Sequence, residues 1–178
     1  MRMRDWYFQG WERREMPGGK TELVYTGETY SFPGGAGPAR KRCLLLGLPL
    51  IVLYGAAALL PPPGGMWHVA AIPQLLELIP VVYLILGLIR LLLAKEPLTF
   101  RDWYTSWRRI GIAAAGSAVL TAGMVLAELV FIVWHADGAI GAELLYLLAE
   151  LACFGLSLAL AGYIKKHPCV SSVGTKKE

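Results

Sequence analysis

The chain has 178 residues, of which 56% are hydrophobic and only 17% charged. A soluble core of this size cannot enclose so much apolar surface, so composition excludes an ordinary soluble domain and points to an integral membrane protein. The net charge of +4 does not indicate nucleic acid: all 17 Lys and Arg residues fall within 2–42, 90–109 and 165–177, beside long apolar runs, where basic residues retain topology and attract anionic lipid headgroups.

Residues 1–42 read as a cytoplasmic segment, too polar for a cleavable signal peptide. It opens with Arg4-Asp5-Trp6-Tyr7, followed by Trp11 and Arg13-Arg14. Glu22–Tyr25, the Thr26-Gly27 pair and Glu28–Phe32 read as a short β-hairpin, and Pro33–Pro38 as a linker.

Crossing roughly 30 Å of hydrocarbon takes about 20 apolar helical residues. Four stretches qualify, about 43–60, 69–93, 110–134 and 139–164, giving an all-α membrane domain over 43–164 and a cytoplasmic tail over 165–178. Pro61-Pro62-Pro63-Gly64-Gly65 and Asp137-Gly138 are the outer turns. Trp67-His68 and Trp134-His135 fall at the outer interface, where indole rings bury their faces and keep their N–H groups wet. The basic flanks place both termini inside, with the first span acting as an uncleaved anchor.

Between the second and third spans, Arg101-Asp102-Trp103-Tyr104 repeats the opening tetrapeptide, and Trp107 with Arg108-Arg109 echoes Trp11 with Arg13-Arg14. Phe100, Trp103, Tyr104 and Trp107 keep helical spacing and Thr99 with Asp102 suits a capping box. An amphipathic helix over about 99–109 is therefore expected in the interface, with Trp6, Tyr7 and Trp11 as anchors of an equivalent N-terminal helix. With the second echo, Trp67-His68 to Gln74-Leu75-Leu76 against Trp134-His135 to Glu143-Leu144-Leu145, this suggests a tandem repeat of two parallel hairpins.

Val24-Tyr25-Thr26-Gly27-Glu28 with Tyr30, the four spans, and Lys95-Glu96-Pro97-Leu98-Thr99 resemble uncharacterised small four-span membrane proteins of bacteria. The resemblance implies a bacterial cytoplasmic (inner) membrane and carries neither an activity nor site residues.

Glu77, Glu128, Glu143 and Glu150 are the side chains with the clearest chemical potential, joined by Gln74 one turn from Glu77. An ionised group in hydrocarbon is costly, and apart from Arg90, at the basic end of the second span, no Lys or Arg lies within the spans to compensate it. Such carboxylates bind a cation, share protons, or stay neutral and join helices by hydrogen bonds. Counting along the helices puts Glu77, Glu128 and Glu143 about 6–12 Å below the outer ends and Glu150 nearer the midplane. His68, His135 and Asp137 are weak metal candidates without a chelating spacing, so no metal site is expected. His-Glu-x-x-His is absent and Gly116-Ser117 lacks a nucleophile pattern, so neither catalysis nor a cofactor is expected. The three cysteines suggest no structural disulfide. Ser117, Thr121, Gly123, Gly155 and Ala159 read as small residues permitting close helix approach.

The expected role is that of a non-enzymatic accessory or scaffold subunit, docking a membrane-protein partner, a second copy or the lipid surface through its aromatic and basic inner face. The alternative is a small proton- or cation-coupled transporter using the intramembrane glutamates.

Overall fold

The structure, a computed structural model, describes residues 10–15, 21–59, 68–134 and 140–172. These form four helices and two small sheets. The helices are α1 (Ala36–Leu59), α2 (His68–Leu93), α3 (Phe100–Trp134) and α4 (Ile140–Lys166). Strands β1 (Trp11–Glu15), β2 (Thr21–Tyr25) and β3 (Thr29–Ser31) precede them; β4 (Leu98–Thr99) leads into α3, and β5 (Val170–Ser172) follows α4.

Strand pairing sets the direction of three of the helices, and a hydrogen bond that of the fourth. β3 lies between β4 and β5, antiparallel to both, with Thr29 opposite Thr99 on one side and Ser172 on the other. The starts of α1 and α3 and the end of α4 therefore share one end of the molecule. Arg40, in the first turns of α1, donates to the carbonyl of Ala94 just beyond α2, bringing the fourth helix end to the same place. The helices thus run up, down, up and down, each packed on its sequence neighbour, with α4 closing the ring against α1.

The helices over Ile72–Leu93, Phe100–Trp134 and Glu143–Lys166 are long and apolar enough to cross a membrane. Leu45, Val52, Leu75, Ile79, Val119 and Leu158 face outward on the helices, as a lipid-facing belt requires. α1 has 24 residues but carries Arg40-Lys41-Arg42 in its first turns. It starts at Ala36, inside the expected linker, because Pro38 falls in the first turn, where no backbone donor is needed.

Glycine sets two helix approaches. A Cβ at Gly87 would lie 2.7 Å from Ile110 Cγ1, and one at Gly47 2.9 Å from Leu88 Cδ1, so these positions let α2 meet α3 and α1. Ser117 and Thr121 are buried as expected, whereas an added Cβ at Gly123 or Gly155 would meet nothing within 4 Å, and Ala159 is exposed.

The expected hairpin within 22–32 is corrected. β2 pairs instead with β1, Trp11 opposite Tyr25, and β3 joins the other sheet. The Tyr25 ring packs edge-on against Trp11 at 5.3 Å and its hydroxyl accepts from the Phe100 amide at 3.1 Å, which docks the β1–β2 hairpin on the start of α3. Trp11 thus lies in a strand whereas Trp107 lies in a helix, so the two aromatic segments differ where both are described. Trp6 and Tyr7 fall outside the described residues.

The separate interfacial helix over 99–109 is likewise corrected: it is the first part of α3, continuous with the third span. Thr99 caps it, accepting from the Asp102 amide at 3.2 Å and donating to the Asp102 carboxylate at 2.8 Å. Tyr104–Arg108 widens into a π turn, where the Thr105 and Ser106 hydroxyls donate to the Arg101 and Asp102 carbonyls four residues back. Thr99→Ala removes the cap and is expected to cost about 1 kcal/mol in unfolding free energy. Thermal unfolding in detergent checks this; an unchanged midpoint would mean that the cap adds nothing to α3.

Nor do the aromatic residues of this segment simply anchor it to lipid. Tyr30 stacks on Trp103 at 4.6 Å, Trp107 is buried with its ring edge-on to Phe32 at 4.8 Å and to Tyr163 at 6.2 Å, and Phe100 and Tyr104 complete the cluster. They join the sheet to the helix ends in a core that continues through Leu98, Leu88 and Ile110 to Leu50 and Leu160. Burial, with a 2.8 Å hydrogen bond donated to Glu28, pushes the Tyr30 phenol up to about 12. Because the folded chain holds that proton more tightly than the unfolded chain, this contribution is intact below pH 10 and lost as pH rises through about 12. Tyr30→Phe should flatten the alkaline fall in thermal stability over that window; an identical fall would place its cause elsewhere.

Candidate functional site

Among the described residues the buried glutamates all lie in the part of the bundle away from the basic end. Beyond the continuous apolar core at the basic end, around a small cluster of Ala57, Met124 and Tyr146, Glu77, Glu128 and Glu150 are all at most 3% exposed. Glu143 is also buried, in the first turn of α4. The helix ring accounts for this convergence: Glu77 comes from α2, Glu128 from α3, and Glu143 and Glu150, two turns apart on one face, from α4.

Glu77 and Glu150 are within electrostatic reach of each other, as are Glu150 and Glu128, and Glu128 and Glu143. The four carboxyl groups therefore form a row that zigzags from α2 through α4 and α3 and back to α4. Along α4 the row covers about 10 Å, seven residues at about 1.5 Å each.

A cavity of about 210 Å³ lies at the α2 end of the row. Its lining is mainly apolar, from Ile51, Gly55, Ala57, Leu78 and Val81, with polar groups supplied by Glu77, Glu150, Gln74 and Tyr54. This is room for several waters or one small partly hydrated cation, since a liquid water occupies about 30 Å³. Pro80, inside α2, cannot donate to the carbonyl of Leu76, which leaves an acceptor one residue from Glu77.

Glu77 Oε1, Glu128 Oε1, both carboxyl oxygens of Glu150, and the hydroxyls of Tyr54, Ser117 and Ser157 are buried without a hydrogen bond of good geometry, although Tyr146 lies close to Glu150 and Ser117 close to Tyr54. Buried polar atoms are nearly always satisfied, and orphaned carboxyl oxygens from three helices mark a place built for something besides packing. Among the described residues every Lys and Arg flanking the spans is at the basic end, away from these carboxyl groups.

Of the residues expected to form the site, Gln74, Glu77 and Glu150 share one cavity, and Glu128 and Glu143 extend it as a row. The weak metal candidates lie outside what is described: His135 and Asp137 fall in an undescribed stretch, and nothing is described of the His68 side chain. Among the described residues no group of three His, Cys, Asp or Glu side chains converges as a metal centre. Tyr54 and Tyr146 were not singled out from sequence. Tyr146 is four residues before Glu150, on its face, and within electrostatic reach of Glu77, Glu128 and Glu150. A tyrosine one turn from an intramembrane glutamate was the available signal.

Comparison with protein-family models, curated proteins and solved structures finds no match for this chain.

Proposed function

We infer that this multi-pass membrane protein holds protons or a small monovalent cation on its interior carboxylates, as the binding site of a small coupled transporter. The observation that carries the reading is the set of buried, unpartnered carboxyl oxygens around the cavity. Glutamates serving only to join helices would spend their oxygens on donors of neighbouring helices, whereas the hydroxyl close to Glu150 is that of Tyr146, one turn back on the same helix. The reading includes α1 as a fourth span, both termini on the cytoplasmic side of a bacterial inner membrane, and no catalytic step.

Apolar side chains of Leu84, Leu88, Leu50 and Leu160 separate the cavity from the basic end. Passage therefore requires the ring to rearrange, and Pro73 and Pro80 on either side of Glu77 place the weakest backbone bonding of α2 beside the site. The test is ion flux into vesicles carrying the purified chain under imposed proton, sodium or potassium gradients. Flux above that of protein-free vesicles supports the reading, and none under any gradient overturns it.

The accessory reading is supported by Trp11, which is 40% exposed on the β1–β2 hairpin. It no longer draws on Trp107, which is buried, and Trp103 is engaged by Tyr30. Its partner surface is therefore the hairpin.

A further inference from the structure

At the basic end, on the other side of the ring from the carboxylate cavity, a groove of about 420 Å³ runs between α3 and the end of α4. Its mouth holds two cations, Arg108 from α3 and Lys165 from α4. The Arg108 guanidinium lies 4.9 Å from the Tyr104 ring centre and 6.0 Å from that of Trp103, which restrains it at the mouth. Among the described residues no carboxylate pairs with Arg108 or Lys165.

Below the mouth the wall changes character. Gly111, Ile112 and Ala115 line it, about 4–10 Å deeper along the helix axis. Two are small, so the wall recedes and leaves an apolar slot facing the hydrocarbon. A cationic mouth over an apolar slot, at the level where a span meets its basic flank, matches the shape and polarity of a lipid, with charge at one end and a chain at the other. A zwitterionic headgroup would bring its own cation against Arg108 and Lys165, whereas a net negative one pairs with both.

We propose that this groove binds an anionic phospholipid, its phosphate between Arg108 and Lys165 and one acyl chain along Gly111 to Ala115. This rests only on the groove and is independent of the carboxylate site.

Native mass spectrometry of the full chain, delipidated and offered phosphatidylglycerol or phosphatidylcholine, tests it. Phosphatidylglycerol should be retained in preference. Losing both cations in Arg108→Gln/Lys165→Gln should weaken retention about thirtyfold, at about 1 kcal/mol per basic residue. Ala115→Trp, which fills the slot without changing charge, should also weaken it. Lys41→Gln/Arg90→Gln, which removes two basic residues outside the groove, should change it by no more than about twofold. Equal retention of the two lipids by the unaltered chain overturns the proposal without reliance on any variant. So does equal loss in both double variants, which would indicate bulk attraction, or displacement of the lipid by soluble glycerol phosphate at equal concentration, which would indicate a site for phosphate alone.

Discussion

Glu150→Gln is expected to reduce ion flux to the level of protein-free vesicles while leaving thermal stability within about 1 kcal/mol of the unaltered chain. Gln has nearly the same volume, so packing in this close layer is preserved. It can donate and accept hydrogen bonds but can neither carry an exchangeable proton nor neutralise a cation. Glu77→Gln should behave similarly, since Glu77 and Glu150 share the cavity. Glu150→Leu separates the site reading from a structural one. A glutamate that joins helices by hydrogen bonds is costly to lose, whereas an unpartnered carboxyl group replaced by an apolar side chain is near neutral or stabilising. Loss of flux with stability kept supports the binding site; marked destabilisation by Leu with flux kept in Gln would assign the carboxyl to structure.

Trp107→Ala is expected to have the largest effect on stability, a loss of about 3 kcal/mol or more in unfolding free energy. Its indole is 3% exposed and fills the junction of three elements, with Phe32 after β3 on one side and Tyr163 of α4 on the other. Truncation removes the wedge on which the sheet and two helix ends meet. Trp134, at the end of α3 and 73% exposed, is the comparison: Trp134→Ala should shift the unfolding midpoint far less. Equal shifts would show that both indoles act as lipid anchors and that the aromatic junction contributes little.

These two residues also show what could be read from the chain. Glu150 was recognisable because a charge inside an apolar run of helical length has few explanations, and counting residues placed it near the midplane. That no neighbouring helix supplies its oxygens with a donor is decided by side chains of α1, α2 and α3, which no local pattern encodes. Trp107 stands out in the sequence, but as a lipid anchor rather than the buried wedge it forms. Helical spacing of Phe100, Trp103 and Trp107 describes an apolar face but does not say whether lipid or protein covers it. The covering element, β3, has three residues, and its partners lie far along the chain, Ser172 opposite Thr29. Strands that short have no alternation to detect, so their pairing is settled by tertiary packing. Apolar run lengths and proline-glycine turns, by contrast, located the helices to within a few residues, except where α1 and α3 extend past the hydrocarbon into the basic end.

The measurement closest to the central claim is labelling by a membrane-permeant carbodiimide, which attacks protonated carboxyl groups in apolar surroundings, with the modified residues mapped by mass spectrometry. The bundle interior described here predicts modification at Glu77 or Glu150, suppressed by the cation that supports flux and accompanied by proportional loss of that flux. Modification confined to the exposed carboxylates Glu12, Glu22 and Glu96, with flux unaffected, would contradict it.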